Sequence, residues 1–96
     1  MFEDHTAITR RVYEYAYGID TRDWGLYRSI FVDEVEMDFS SYNGNPGATM
    51  KADDWVAGCR VLFTGLDATQ HSMSNPLLDV DGDRARCRMY MQAEHF

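Results

Sequence analysis

The chain has 96 residues, 45% of them hydrophobic and 14% aromatic, with 16 acidic against 9 basic side chains and a formal net charge of −7. That length makes one domain, residues 1–96, near the small end of what builds its own core, and the apolar content excludes a disordered chain. The acidity argues against nucleic acid and against an anionic membrane surface, both of which select basic patches, and no apolar run is long enough to span a bilayer.

The N-terminus, Met1-Phe2-Glu3-Asp4-His5, is acidic and carries no signal-like apolar region, so a cytoplasmic protein is expected, with His5 in solvent. Asp4 or Thr6 can cap a first helix that runs to about Ile19. Ile8, Val12, Tyr15, Ala16 and Ile19 form its apolar stripe, and Tyr13, Tyr17 and Asp20 form a second line that can face a cavity edge. Asp20 gains nothing from the dipole at a helix C-terminus, so it either caps the next helix or serves another residue. A second helix is expected from Arg22 to Phe31, opened by Asp20 or Thr21, with Trp24, Tyr27, Ile30 and Phe31 on one side.

Val35, Met37 and Phe39 then alternate with Glu36 and Asp38, the pattern of a half-buried strand. Ser40 to Gly47 is dense in Gly, Asn and Pro and reads as a loop. A third helix is expected from about Asp53 to Leu62 or Phe63, with Trp55, Val56, Cys59, Leu62 and Phe63 on its apolar face and Gly65 as its stop. Two strands end the chain, Asp67 to Leu78 (interrupted at Pro76) and Arg84 to Phe96, joined through the hairpin signal Asp81-Gly82-Asp83. In the last strand Ala85, Cys87, Met89, Met91, Ala93 and His95 share one face. In its neighbour Thr69, His71, Met73 and Asn75 do.

The order predicts an α+β fold with helices on one side of a curved antiparallel sheet. With three strands and no cap the sheet reads as unfinished, so either further strands follow in a longer chain or a partner completes the edge. The two cysteines, Cys59 and Cys87, are too widely spaced for a zinc or redox motif and read as small buried hydrophobes.

His71 is the residue with the most chemical potential, because an imidazole, with an unperturbed pKa of roughly 6.5, exchanges protons near neutrality. The plainer reading is a satisfied, half-buried strand histidine. To act as a catalyst it needs an orienting group, for which Asp20 is the candidate, and a pocket that excludes water. His71, His95 and Asp20 lack the helical or hairpin spacing of metal ligands, so no metal is expected.

The segment Tyr15-Ala16-Tyr17-Gly18-Ile19-Asp20-Thr21-Arg22-Asp23-Trp24, the downstream Phe31-Val32-Asp33, Thr69-Gln70-His71 and Asp81-Gly82-Asp83-Arg84-Ala85 occur in an order that resembles the SnoaL-like branch of the nuclear transport factor 2-like superfamily. That branch includes scytalone dehydratase, hexachlorocyclohexane dehydrochlorinase, bile-acid dehydratase and polyketide cyclases. The resemblance implies a cone-shaped α+β fold with a deep apolar pocket between the helices and a bent sheet. In the family two more strands follow the position of His95 and Phe96 and close the cone. The resemblance therefore implies a C-terminally shortened chain, with any site residue on those strands, often an arginine, outside it.

Carried over by position, Asp20 and His71 match an aspartate–histidine dyad and His95 a second pocket histidine. The two carbonyl-polarising tyrosines of the dehydratase are matched here by Ile19 and Phe39, which sets that particular reaction apart. The reading that follows is cofactor-free proton abstraction by His71, oriented by Asp20, with His95 or a tyrosine hydroxyl donating to the developing charge: a lyase or isomerase of the dehydratase or dehydrohalogenase kind. A non-catalytic module for ligand binding or dimerisation is the alternative. The substrate expected is a small hydrophobic or ring-containing molecule, lined by Tyr13, Tyr17, Trp24, Phe39, Tyr42, Trp55, Met73, Met89 and Met91. Each of these also has a plainer role as a helix-surface aromatic, a packing anchor or a core gap-filler. The fold commonly uses its sheet for contacts between copies, so a homodimer or homotrimer is expected.

Overall fold

The computed structural model describes residues 2–95. The first helix, α1, spans Phe2–Asp20 and starts ahead of both expected caps. Glu3 and Asp4 lie in its first turn instead, where negative charge complements the helix dipole. Its end is a Schellman-type closure: Arg22 N–H donates to Ile19 O (3.1 Å) and Asp23 N–H to Gly18 O (2.9 Å). Arg22 itself takes the left-handed conformation, φ +59°, that this motif requires.

That closure corrects the expected start of the second helix. Helix α2 covers only Trp24–Ser29, and its cap is Asp23, whose side chain accepts from Leu26 N–H at 3.1 Å, rather than Asp20 or Thr21. Asp20 is thereby left free for another partner. The two helices meet closely, because a Cβ on Gly18 would stand 3.0 Å from Cβ of Tyr27.

Strand β1, Glu34–Met37, is shorter than expected and does not include Phe39. The segment read as a loop contains a single helical turn, α3 (Ser40–Asn43), started by an Asp38 side chain accepting from Ser40 N–H at 2.8 Å and ended at Gly44, φ +75°. It also leads into a strand that the sequence pattern did not signal, β2 (Ala48–Lys51), which pairs antiparallel with β1 from Glu34↔Lys51 to Met37↔Ala48. Four residues abutting a helix carry too little alternation to declare a strand, and only the pairing defines it. Helix α4, Ala52–Thr64, follows at once, close to its expected bounds, and carries Asp53 and Asp54 in its first turn. Gly65 follows it in an ordinary right-handed conformation.

Strands β3 (Thr69–Asp81) and β4 (Arg84–His95) form a long hairpin turning at Gly82, φ +61°. The expected end of β4 at Phe96 lies outside the described residues. Pro76 does not interrupt β3. Asn75 (φ +55°) and Pro76 instead form a bulge between the pairs Ser74↔Tyr90 and Leu77↔Arg88. The extra residue reverses the alternation, so Thr69, His71 and Met73 face inward before it, and Pro76, Leu78 and Val80 after it. Asn75, expected beside His71 and Met73, is accordingly exposed.

Among the described residues the strands form two two-stranded antiparallel sheets, β1–β2 and β3–β4, not one sheet of three. The core lies between α1, α2 and α4, where Ile19, Tyr27, Val56, Cys59 and Phe63 are buried and Tyr15, Trp24, Ile30, Phe31, Trp55 and Leu66 pack around them. No helix among the described residues is long and apolar enough to cross a membrane.

Candidate functional site

The end of α1 lies against the start of β3, and two residues far apart in the chain meet there. His71 Nδ1–H donates to Asp20 Oδ1 at 2.7 Å, and the backbone N–H of His71 donates to Asp20 Oδ2, also at 2.7 Å. A carboxylate only accepts, so Nδ1 carries a proton, and in the neutral imidazole the lone pair is then on Nε2. The His71 side chain is 4% exposed and that of Asp20 21%.

A third bond completes the carboxylate's surroundings: Thr69 Oγ1–H donates to Asp20 Oδ1 at 3.0 Å. The Thr69 hydroxyl in turn accepts from Arg22 Nη1 at 2.9 Å, and the same nitrogen donates to Ile19 O at 2.7 Å. Arg22 Nη2 is buried without a partner, and the guanidinium carbon lies 5.9 Å from the centre of the Phe63 ring.

Aromatic rings enclose the imidazole. Tyr15 stands edge-on to His71 with centroids 6.4 Å apart, and Phe63 does so at 6.0 Å. His95, the cross-strand partner of Thr69, brings its ring to 6.0 Å from His71 and 5.6 Å from Phe63 while remaining exposed. Behind Tyr15 the core is polar at one point. Trp55 Nε1–H donates to the Tyr27 hydroxyl at 3.0 Å, with Cys59 Sγ 3.8 Å away. Burial pushes the phenols of Tyr15 and Tyr27 and the thiol of Cys59 above their ordinary values.

An apolar cleft of about 480 Å³ opens on the other side of Tyr15, lined by Ile8, Arg11, Val12, Tyr15, Ile30, Met73 and Met91. Met73 is the inward neighbour of His71 along β3 and pairs with Met91, which ties the cleft to the dyad. Two of the methionines expected at a substrate are thus in this lining. Met89 lines a second hollow of about 430 Å³ over the bulge, beside Pro76, Leu77, Arg88 and Tyr90.

The expected aromatic lining is placed differently. Tyr13 and Tyr17 lie on the exposed side of α1, because the 100° step between helix residues turns them away from the stripe that contains Tyr15. Tyr42, on the outlying turn α3, is 88% exposed. Trp24 stands edge-on to Tyr27 at 5.9 Å and Trp55 also packs on the core, while the exposed Phe39 stacks on Trp55 at 5.8 Å, so none of the three lines the cleft.

Three residues at the site carry parts that the sequence reading did not assign. Thr69 shares the His71 face by alternation, and a hydroxyl one inward position before a histidine is the signal in the sequence for its part. Tyr15 belongs to the apolar stripe of α1 by its period, yet its ring stands beside His71 and also lines the cleft. Arg22 gave no signal, since an arginine between two helices is ordinarily solvated. Among the described residues, no group of three or more His, Cys, Asp or Glu is arranged to hold a metal ion.

Comparison with known proteins agrees with this fold. Among solved structures, the Kfla4162 protein from Kribbella flavida matches with a TM-score of 0.90 at 30% identity, over 97% of this chain and 64% of that one. The protein named "Putative Scytalone Dehydratase" from Novosphingobium aromaticivorans matches with a TM-score of 0.81 at 25% identity, over 98% and 61% respectively. The chain thus spans less than two thirds of the length of either. No curated protein matches it. The model of the SnoaL-like domain family matches residues 1–96. With that match and the α+β fold of its structural neighbours, the chain belongs to the SnoaL-like domain family of the nuclear transport factor 2-like superfamily.

Proposed function

We propose that the protein is a cofactor-independent lyase or isomerase of the dehydratase or dehydrohalogenase kind, in which His71 is the catalytic base. The observation that carries this reading is the 2.7 Å contact between His71 Nδ1 and Asp20, made beside the rings of Tyr15 and Phe63 with the His71 side chain only 4% exposed. With its proton held on Nδ1, the imidazole presents the Nε2 lone pair. Nε2 takes a proton from a carbon next to a carbonyl or beside a leaving group. The C–H electron pair then forms the enolate or expels water or halide. Asp20 holds the ring and balances the imidazolium that forms, and His95 donates to the departing group or the developing oxyanion. The apolar cleft favours a small hydrophobic or ring-containing substrate.

The test is a screen of such compounds for elimination or α-proton exchange, run on wild type, His71→Gln and Asp20→Asn. Turnover in the wild type that both variants lose, with circular dichroism unchanged, is the expected outcome. Turnover retained in His71→Gln removes the dyad from the reaction.

A second reading has its own support. The cleft is lined by Tyr15 and Met73 but not by His71, so a ligand can occupy it without touching the imidazole. On this reading the protein binds an apolar small molecule and catalyses nothing. Ligand binding by the His71→Gln variant at wild-type affinity, together with no turnover in either protein, is its signature.

Exposed Leu77 and Tyr90, close together at the bulge, favour a contact between copies in a cytoplasmic homodimer or homotrimer. Sedimentation of wild type against Leu77→Lys reads the assembly state.

A further inference from the structure

Arg22 occupies a conformation in which glycine is the ordinary residue. At φ +59° its Cβ is crowded, and the two backbone bonds that close α1 form without any part played by the side chain. One guanidinium nitrogen is also buried without a partner. Both features are unfavourable for the fold alone, and backbone strain of this kind concentrates where a geometry is being held. The side chain makes two hydrogen bonds, both from Nη1: one to Ile19 O at 2.7 Å, at the end of α1, and one to Thr69 Oγ1 at 2.9 Å, which reaches the site.

We propose that Arg22 and Thr69 are positioning residues for the dyad, acting as a hydrogen-bond relay that fixes the Asp20 carboxylate. The inference rests on the reading of Asp20 and His71 as a working pair. A threonine hydroxyl has one proton and rotates to suit its neighbours. An arginine has only donors, so its contact compels the Thr69 oxygen to accept. The single hydroxyl proton is then directed to Asp20 Oδ1, 3.0 Å away. That bond, with the one from the His71 backbone to Oδ2, holds the carboxylate plane so that Oδ1 also meets Nδ1. Without the arginine the hydroxyl is free to turn elsewhere, and the carboxylate loses one of the bonds that define its rotation. Neither residue touches substrate. Each acts through Asp20 on the tautomer of His71.

The test reads that tautomer directly, independent of any substrate. Long-range proton–nitrogen correlation spectra of ¹⁵N-histidine-labelled full chain distinguish a protonated from an unprotonated ring nitrogen. They are recorded at a pH where the imidazole is neutral. Thr69→Val removes the hydroxyl at constant volume, Thr69→Ser keeps it, and Arg22→Gly removes the side chain while suiting the left-handed backbone. The expected result is a fall of roughly fivefold, the scale of one net hydrogen bond, in the ratio of Nδ1–H to Nε2–H tautomers in Thr69→Val and Arg22→Gly, with Thr69→Ser like wild type. Asp20→Asn separates the two levels of the argument. If it moves the ratio while Thr69→Val and Arg22→Gly do not, the dyad stands and the relay is overturned. A shift in Thr69→Val alone overturns the part given to Arg22. If Asp20→Asn leaves the ratio unchanged, the dyad itself is refuted and the relay with it.

Discussion

Asp20 holds His71 at two points, through the ring Nδ1 and through the backbone N–H, each at 2.7 Å and each to a different carboxylate oxygen. The ring contact fixes the tautomer, and the backbone contact fixes the position of β3 against the end of α1. A single side chain therefore links the orientation of the imidazole to the packing of the hairpin on the helix, and the same carboxylate is the meeting point of the Thr69 contact.

From that arrangement, Asp20→Asn and His71→Gln should each reduce kcat/KM by about 10²–10⁴ for any substrate found, the usual worth of a positioned acid or base. Residues that act as one unit are not additive, so the double variant should lose little more than the worse single one. Steady-state kinetics on the three variants checks this. Multiplicative losses mean that the two residues act separately.

Tyr27 makes a stability prediction. It is fully buried, and Tyr27→Phe leaves the indole N–H of Trp55 without its acceptor, at a cost of about 1–2 kcal/mol in urea unfolding. Burial raises the folded-state value of this phenol and of Tyr15 above the unfolded one, so the fold favours the neutral form. That contribution is complete below the unfolded value, about pH 10, and is lost as pH rises above it toward the raised folded values. Stability should decline progressively above about pH 10, and absorbance at 295 nm should show these two phenols ionising only as the protein unfolds. Their smooth titration in the folded protein speaks against the buried pair.

Gly18 and Gly58 make a contrasting pair. At Gly18 an added methyl meets Cβ, Cα and N of Tyr27 at 3.0, 3.1 and 3.2 Å, and two of those atoms are backbone that cannot swing aside. Gly18→Ala should cost about 1–2 kcal/mol net, since overpacking outweighs the roughly 1 kcal/mol that alanine gains in a helix. Gly58, within α4, has nothing within 4 Å of an added Cβ, and Gly58→Ala should stabilise by about 0.5–1 kcal/mol. Opposite signs in denaturant melts are the expected result.

The two thiols should also separate. Cys59 is buried and its thiol is raised by that burial, whereas Cys87 is half-buried on β4. An aromatic disulfide reagent should modify Cys87 first and reach Cys59 only as fast as the core opens. Equal rates at the two positions contradict the packing of Cys59 beside Tyr27.

Periodic patterns were legible wherever many residues repeat them. The stripe Ile8, Val12, Tyr15, Ala16 and Ile19 marks α1, because a helix that buries one side imposes its period on the sequence, and on β4 the expected alternation is kept at half-buried Cys87 and Met89. Short elements were not legible. The four residues of β2 and the single turn α3 owe their form to Met50 pairing with Val35 and to the Asp38 side chain, both matters of contact. The bulge at Asn75 and Pro76 was visible as a proline in a strand, but its consequence, the reversal of faces beyond it, depends on the register with β4.

The site divides along the same line. The motif order in the sequence suffices to assign the family and to nominate Asp20 and His71, since those rest on residue types at fixed places along the chain. Only the tertiary structure decided that Asp20 meets His71 and that Arg22 lies under Thr69. These contacts join residues 51 and 47 positions apart, and local propensity carries no information about contacts at that separation.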